Sequence, residues 1–218
     1  MELAPGDRVA VMTFGGSSKI VQSFTENLDE VEHSIRSAVL GRARGSTRIL
    51  SAVRAAADYF RRQPRNRRRR AILLVTDNEG LPSGRAASVI RNLWEADASL
   101  SGLQIRTPRE DNRLRYKSPL VWLAPQVVLL TMERMNTVIE RTGGDFVNVT
   151  GPGGGAEFHE LMRRLRLRYT LQYAMPQGKP GEERRIQVML SGDAQAKNPQ
   201  ARVRARTGYR IPQKQRRG

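Results

Sequence analysis

The chain of 218 residues contains no cysteine, which excludes disulfides, thiol catalysis and thiolate metal sites. Its two histidines, His33 and His159, lie far apart in the sequence, so a histidine-rich zinc site is not expected. The nucleophile elbow G-x-S-x-G and the zinc motif H-E-x-x-H are also missing. A hydrolase is therefore the least favoured of the functions considered.

Long apolar runs and aromatic residues are scarce. No apolar stretch reaches the roughly 18 residues needed to cross a membrane, and Pro125 interrupts the longest one, LVWLAPQVVLL at 120–130. The N-terminus MELAPGDRV lacks the basic region and apolar core of a signal peptide, so the sequence leaves the compartment open. Aromatic residues make up 6% of the chain, which leaves little material for a base-stacking surface.

Arginine, in contrast, is abundant. The formal net charge is +17, and seven of the ten residues in RRQPRNRRRR (61–70) are arginines. This cluster follows a predicted helix and precedes a predicted strand, so we expect it to lie on the surface. It is interpreted either as a solvated basic face or as a site for nucleic acid or an anionic surface. The candidate anion-binding residues are Arg65, Arg67, Arg68, Arg69 and Arg70.

The hydrophobic pattern predicts strands that alternate with helices. Residues 6–14 and 19–25 indicate an antiparallel hairpin, and the short apolar run 71–76 indicates a fully buried strand. Further strands are predicted at 100–107 and 145–150. Apolar residues at helical spacing predict the intervening helices, beginning near Leu28, Ile49, Ala86, Met132 and Phe158. Such alternation is typical of an α/β fold with a mostly parallel sheet and helices on both faces.

The pattern changes after residue 168. Three stretches, 169–175, 184–190 and 201–207, alternate apolar and polar residues without a predicted helix between them, which favours an antiparallel β appendage. We therefore divide the chain into an α/β domain at 1–168, a β appendage at 169–212 and a basic tail at 213–218. Within the first part, 108–130 is interpreted as an insertion. The glycine-rich 151–155 is interpreted as a linker, because phosphate-loop spacing is absent.

Asp77 directly follows the predicted strand 71–76. Ligands of open α/β sheets bind at the carboxyl ends of the strands, so this carboxylate is a candidate ligand-binding group. The alternative is an Asp that caps the next helix or opens a turn.

Six segments, in order, resemble the bacterial von Willebrand factor A-related domain family. They are PGDRVAVMTF, STRILSAVRAA, RRAILLVTDNEG, ERTGGDFVNV, LRYTLQYAMP and RTGYRIP, and they extend from Pro5 to about Pro212. The resemblance implies a doubly wound α/β sheet that binds other proteins and does not catalyse a reaction. It also implies a metal-ion-dependent adhesion site at the carboxyl ends of the strands.

The resemblance further implies the ligands of that site. The family motif is Asp-x-Ser-x-Ser, followed by a distant Thr and a distant Asp; Thr47 and Asp77 match the last two. Mg²⁺ or another hard divalent cation takes about six oxygen ligands, and an acidic side chain of a protein partner would supply the last one. The family usually has Gly after this Asp, and this chain has Asn78.

One part of the family pattern is absent. Asp-x-Ser-x-Ser belongs on a first strand upstream of PGDRVAVMTF, and this sequence begins at Met1 just before that segment, so we expect a truncated N-terminus and an incomplete metal site. The letters DASLS (97–101) fit the motif, but they precede their strand and are expected to form a helix-to-strand turn. The open strand edges would favour self-association, and an extracytoplasmic location would follow if the missing segment carried a signal.

Overall fold

The computed structural model describes residues 4–40, 48–64, 68–77, 84–105, 134–149 and 154–212. The first half contains β1 (Val9–Phe14), β2 (Ser18–Thr25), α1 (Leu28–Leu40), α2 (Ile49–Arg61), β3 (Arg70–Thr76) and α3 (Ala86–Ala96). The second half contains β4 (Ala98–Ile105), α4 (helical residues 134–141), β5 (Phe146–Val149), α5 (Gly155–Arg166), β6 (Glu183–Arg185), α6 (Gly192–Lys197) and β7 (Gly208–Arg210).

A parallel sheet of order β3-β4-β5 forms the centre of the fold. The β3–β4 ladder extends from Arg70 opposite Ala98 to Thr76 opposite Gln104, and β5 continues the sheet beside the second half of β4. Because α3 lies between β3 and β4 in the chain, and α4 between β4 and β5, the strands can all run in one direction. The predicted α/β fold with a mostly parallel sheet is confirmed.

Helices cover both faces of this sheet. On one face α2, α3 and α4 enclose the main core, whose fully buried side chains include Ile49, Leu50, Leu93, Leu100, Met135 and Ile139. On the other face Leu161 of α5 packs against Leu103 and Val149. Each such burial contributes about 1.5–3 kcal/mol relative to an exposed side chain. The apolar residues recur at helical spacing because one side of each helix must pack against a face of the sheet.

Strands β1 and β2 form the predicted antiparallel hairpin, with Phe14 opposite Ser18 and Val9 opposite Thr25. This hairpin is a separate two-stranded sheet and has no ladder to the parallel sheet. Within the described residues, one edge of β1 and one edge of β3 therefore lack a strand partner.

Contacts with α2 show that β1 and β3 run in the same direction. Phe24, at the end of β2 that pairs with the start of β1, packs 5.3 Å from the ring of Phe60 near the end of α2. Arg70, the first residue of β3, donates a hydrogen bond to the carbonyl oxygen of Phe60 at 3.1 Å. At the opposite end, the N–H of Arg48 before α2 donates to the carbonyl oxygen of Gly15 after β1 at 3.4 Å. Both strands are therefore antiparallel to α2.

Strand β3 is less buried than its sequence predicted. Ala71 is exposed and Val75 is 44% exposed, so the prediction of a fully buried strand at 71–76 is wrong. The reason is the position of β3 at the edge of the parallel sheet, where no strand of the described residues pairs with its outer side.

The C-terminal region contains an antiparallel strand pair, as predicted, but only β6 overlaps a predicted strand, 184–190. The strand predicted at 201–207 is wrong: β7 begins after it, and 201–207 contributes an isolated bridge from Arg206 to Thr142. Only β6 and β7 pair, from Glu183 opposite Arg210 to Arg185 opposite Gly208, whereas 169–175 forms no strand. Helix α6, capped by the Ser191 hydroxyl, also intervenes where no helix was predicted. An alternating apolar and polar pattern does not stabilise a strand unless the apolar side chains pack against another surface. Tyr169, in the stretch 169–175, has no such cover, since it is 93% exposed.

Three predicted segments fall wholly or partly outside the described residues. These are the insertion at 108–130, most of the linker at 151–155 and the tail at 213–218. Of the linker, Gly154 and Gly155 are described, and Gly155 begins α5. Two features of the described fold bear on function: the carboxyl edge of the parallel sheet, and the edges of β1 and β3 that have no strand partner among the described residues.

Candidate functional site

Asp77 is the first residue after β3 and lies at the carboxyl edge of the parallel sheet. Its side chain is on the exposed surface, while the preceding Thr76 is buried. The main-chain carbonyl oxygen of Asp77 accepts a hydrogen bond from Nε2 of Gln104 on β4 at 3.5 Å. The edge therefore presents a carboxylate to solvent from a position held by the neighbouring strand.

Thr47, the other residue matched to the metal motif, lies outside the described residues, as does Asn78. Its sequence neighbour Arg48 is held beside Gly15 at the end of β1. Because β1 and β3 run in the same direction, Arg48 and Asp77 both belong to the carboxyl edge of the fold. The sharing of a cation by Thr47 and Asp77 stays a prediction.

Gln104 is a polar residue at this edge that sequence reasoning missed. It pairs with Thr76 across the sheet and is 7% exposed. Its Oε1 is buried and has no hydrogen-bond partner within the described ranges. The sequence did hint at this residue, because it is a glutamine between two apolar residues at the end of the strand segment LSGLQI.

These oxygen atoms are of the kind that a hard divalent cation prefers. Asp77 offers a carboxylate and Gln104 an amide carbonyl, so the donor chemistry fits Mg²⁺. The number of donors does not complete an octahedron, and no group of three or more His, Asp or Glu residues in the described part of the chain could hold a metal ion. The edge is therefore chemically suited to a cation but supplies too few ligands alone.

An open cleft of about 2080 Å³ separates β1 from β3. Both strands line it along their whole length, with Ala52, Val53 and Ala56 of α2 on one side and Phe158, Met162 and Leu165 of α5 on the other. Asp77 lies at the carboxyl end of this cleft, and Arg8, Arg68 and Arg69 lie at its amino end. The cleft is thus apolar along its length and charged at its two ends.

Arg70, a candidate anion-binding residue, holds helix ends together. Its guanidinium donates to the carbonyl oxygens of Phe60 and Ala96, each at 3.1 Å, and of Pro64 at 2.9 Å. These carbonyls lie at or just after the C-terminal ends of α2 and α3, where the helix dipole favours a positive charge. Arg70 therefore has a structural role.

Arg69 has a similar role at α5. Its guanidinium donates to the carbonyl oxygen of Arg168 at 2.8 Å and approaches that of Arg166 at 3.5 Å. The neighbouring Arg68 lies 3.7 Å from the carboxylate of Glu26. Arg68 and Arg69 are exposed, as predicted, but Arg69 and Arg70 donate to main-chain oxygens. Arg65 and Arg67 lie outside the described residues.

The DASLS segment forms the predicted helix-to-strand turn only at Asp97, because residues 98–101 already belong to β4. Asp97 ends α3 in a left-handed conformation with φ 54°, and its carboxylate lies 2.7 Å from the guanidinium of Arg206. The buried hydroxyl of Ser101 accepts a hydrogen bond from the N–H of Asp145 at 3.2 Å. All of these groups lie toward the amino edge of the sheet, away from Asp77.

A second charged cluster, also missed at the sequence level, surrounds Asp145 at this amino edge. The carboxylate is 7% exposed, contacts Arg204, and lies 2.8 Å from Arg168 and 3.9 Å from Arg164. Because Arg204 comes from the C-terminal region, this ion-pair cluster attaches that region to the α/β body.

Comparison with known proteins supports the interpretation from the residues. Residues 1–80 match the family model for the von Willebrand factor type A domain. The fold is similar to that of BatB from Bacteroides thetaiotaomicron, with 18% identity, a TM-score of 0.54, and coverage of 75% of this chain and 80% of that one. A search of curated protein sequences finds no match.

Two further solved structures are more distant. An aerotolerance-related membrane protein from Bacteroides fragilis NCTC 9343 is 16% identical, with a TM-score of 0.48 and coverage of 75% and 81% of the two chains. The SpRpn10 VWA domain is 13% identical, with a TM-score of 0.41 and 68% coverage of each chain. In the described part of this chain, no helix has the length and apolar character needed to cross a membrane.

Proposed function

We propose that this chain, which is related to the von Willebrand factor type A domains, is a protein-binding module that recognises its partner at the carboxyl edge of its sheet. The observation that carries the proposal is the exposed carboxylate of Asp77 directly after β3, beside the buried and unpartnered Oε1 of Gln104. Loops at the carboxyl edge of an open α/β sheet are where such folds bind ligands. The position therefore suits recognition.

A divalent cation, Mg²⁺ or a similar hard ion, is proposed to bridge this edge and an acidic side chain of the partner. Asp77 and Thr47 would hold the ion, and the Gln104 carbonyl is close enough in the fold to assist through its own oxygen or a water. Since Mg²⁺ needs about six oxygens, two or three protein ligands leave an incomplete site. We expect an affinity for Mg²⁺ alone in roughly the millimolar range.

Binding is proposed without catalysis. The groups that converge on the edge are oxygen ligands, and the sequence motifs for a serine nucleophile or a zinc-activated water are missing. The alternative of nucleic-acid binding by the 61–70 cluster is not favoured by any specific contact, because Arg69 and Arg70 donate to helix-end carbonyls.

Selection of displayed peptides on the immobilised chain in Mg²⁺ buffer tests the proposal. The expected peptides contain Asp or Glu, and they dissociate in EDTA and bind poorly to Asp77→Asn. The matched control is Asp193→Asn, an exposed carboxylate in α6, which should bind like the unaltered chain. Acidic peptides that bind equally well in EDTA and to Asp77→Asn would show that the edge is not used in this way.

A further inference from the structure

We infer that an arginine-lined pocket at the amino edge of the sheet binds a small anion with two or more adjacent phosphate groups. The pocket has a volume of about 320 Å³. Asp145, Leu167 and five arginines line it; the arginines are Arg163, Arg164, Arg168, Arg202 and Arg204. None of these residues belongs to β1 or β3, and Asp77 lies at the opposite edge of the sheet. The arginine pocket is therefore separate from the proposed cation site and does not depend on it.

The arginine pocket carries more positive charge than its carboxylates neutralise. Asp145 lies within ion-pair distance of three of the arginines. Glu160 on α5 accepts hydrogen bonds from Arg163 at 2.7 Å and from Arg164 at 2.8 Å. Five guanidinium groups thus share two carboxylates, which leaves a surplus of three positive charges. Because cations held this close repel one another, a bound anion relieves the repulsion and is favoured.

Arg202 is the lining arginine that the fold does not use. It is exposed, and it makes no hydrogen bond or ion pair with the residues that the structure describes. Attachment of the C-terminal region to the α/β body requires Arg204, which contacts Asp145, but it does not require Arg202. The guanidinium of Arg202 is therefore available to a ligand in the arginine pocket.

The two carboxylates position the other arginines before a ligand arrives. Side chains that are already held lose less conformational freedom on binding, which favours affinity. Each guanidinium has five N–H donors in a rigid fork, so an ion pair with Asp145 or Glu160 leaves further donors for a ligand. The side chains of Arg163, Arg164 and Arg204 remain 58%, 43% and 50% exposed. An anion from solvent can therefore reach them.

The lining favours a chain of phosphates over other anions. Leu167 is the one apolar residue that the described ranges contribute to the lining, and no aromatic residue of these ranges lines it, so a nucleotide base would find no stacking partner. A phosphate group offers tetrahedral oxygens to arginines that approach from several directions, whereas a carboxylate offers two oxygens in one plane. One phosphate group carries about −1.5 to −2 charges near pH 7. Two or three linked phosphates therefore match the surplus charge better than one.

Isothermal titration of the full chain with sodium tripolyphosphate tests the inference, in buffer freed of divalent cations and at about 0.15 M salt to screen distant charges. Binding should saturate at one anion per chain. Arg202→Gln should weaken it roughly tenfold and leave the melting temperature of the ligand-free chain unchanged. The matched control is Arg36→Gln on α1, which removes the same charge from an exposed pair with Glu32 and should bind like the unaltered chain. Equal weakening by the two substitutions overturns the inference, because it means that the overall charge attracts the anion.

NMR of the arginine Nε–H groups locates the bound anion. Tripolyphosphate should shift the signals of the five pocket arginines and leave that of Arg36 in place, and inorganic phosphate should bind roughly tenfold more weakly. Shifts confined to arginines outside the pocket overturn the inference. Phosphatidylglycerol vesicles and a short oligothymidylate test other sources of phosphate: Arg202-dependent binding of either one, without binding of tripolyphosphate, overturns the assignment of a small soluble anion. Since divalent cations are absent throughout, none of these outcomes bears on the cation site at Asp77.

Discussion

Arg70 Nη1 donates a hydrogen bond to the carbonyl oxygen of Ala96 at 3.1 Å, which joins the start of β3 to the end of α3. The same guanidinium reaches the carbonyl oxygens of Phe60 and Pro64 at the end of α2. One arginine of a strongly basic run thus satisfies carbonyl groups that two helices leave without an intrahelical partner. Part of the positive charge in residues 61–70 therefore stabilises the fold.

Arg70→Lys should lower the free energy of unfolding by about 2 kcal/mol, because an ammonium cannot reach three separate carbonyls in the fork geometry of a guanidinium. Urea denaturation measures the change. The matched control is Arg68→Lys, whose exposed ion pair with Glu26 should be worth less than about 0.5 kcal/mol. Equal effects of the two substitutions would contradict the helix-end role of Arg70.

Asp145→Ala should destabilise the protein by about 2–3 kcal/mol, because it leaves the half-buried Arg168 without its carboxylate. The exposed Asp193→Ala should change stability much less. Limited proteolysis adds a second measurement, since loss of the contact with Arg204 should speed cleavage in 199–207. An unchanged cleavage rate would mean that β7, and not the ion-pair cluster, holds the C-terminal region in place.

Glu160 on α5 should titrate at unusually low pH. Hydrogen bonds from Arg163 and Arg164 lower the pKa of this carboxyl from 4.5 to about 2. A lowered folded-state pKa stabilises the folded form above the unfolded value, so the benefit is complete above about pH 4.5 and is lost as the pH falls through 2. Carboxyl NMR titration should give a midpoint near 2, and Arg163→Gln should move the midpoint back toward 4.5. A midpoint near 4.5 in the unaltered chain would exclude these hydrogen bonds in solution.

Gly144→Ala should destabilise the fold severely, by about 3 kcal/mol or more. An added Cβ would lie 1.5 Å from the carbonyl oxygen of Leu100, so the link before β5 would have to move away from β4. Gly192→Ala in α6 is the control, because a Cβ there meets nothing within 4 Å and alanine favours a helix. Thermal melts compare the two, and tolerance of Gly144→Ala would mean that the approach of these strands is wrong.

The main elements of the fold could be predicted because each has a local cause. The apolar run at 6–14 and its short link to 19–25 identified the hairpin, and helical spacing identified the helices. The apolar run 71–76 placed Asp77 at a strand end. The helix-to-strand turn at Asp97 was also predicted, because DASLS follows a helix and leads into a strand, although β4 begins at Ala98, earlier than the predicted 100–107.

Other features depend on contacts between distant residues, which local pattern does not encode. Asp145 and Arg204 are 59 positions apart, and Arg69 meets the end of α5 only after the sheet has formed. The exposure of Val75 reflects the open edge of β3, and the failed strand prediction at 169–175 reflects the lack of an apolar surface beneath it. Gln104 was missed because a single polar residue in a strand has no periodic signature.

The binding of a divalent cation at the carboxyl edge is tested most directly by Mn²⁺, a paramagnetic substitute for Mg²⁺ that reports weak binding through line broadening. In amide NMR spectra of the full chain, Mn²⁺ should broaden the signals of Thr47, Asp77 and Gln104 together, and EDTA should reverse the effect. Asp77→Asn should remove the broadening at all three positions, and Asp193→Asn should not. Broadening confined to other positions, such as Asp97 at the opposite edge, or broadening that survives Asp77→Asn, would contradict the proposed site.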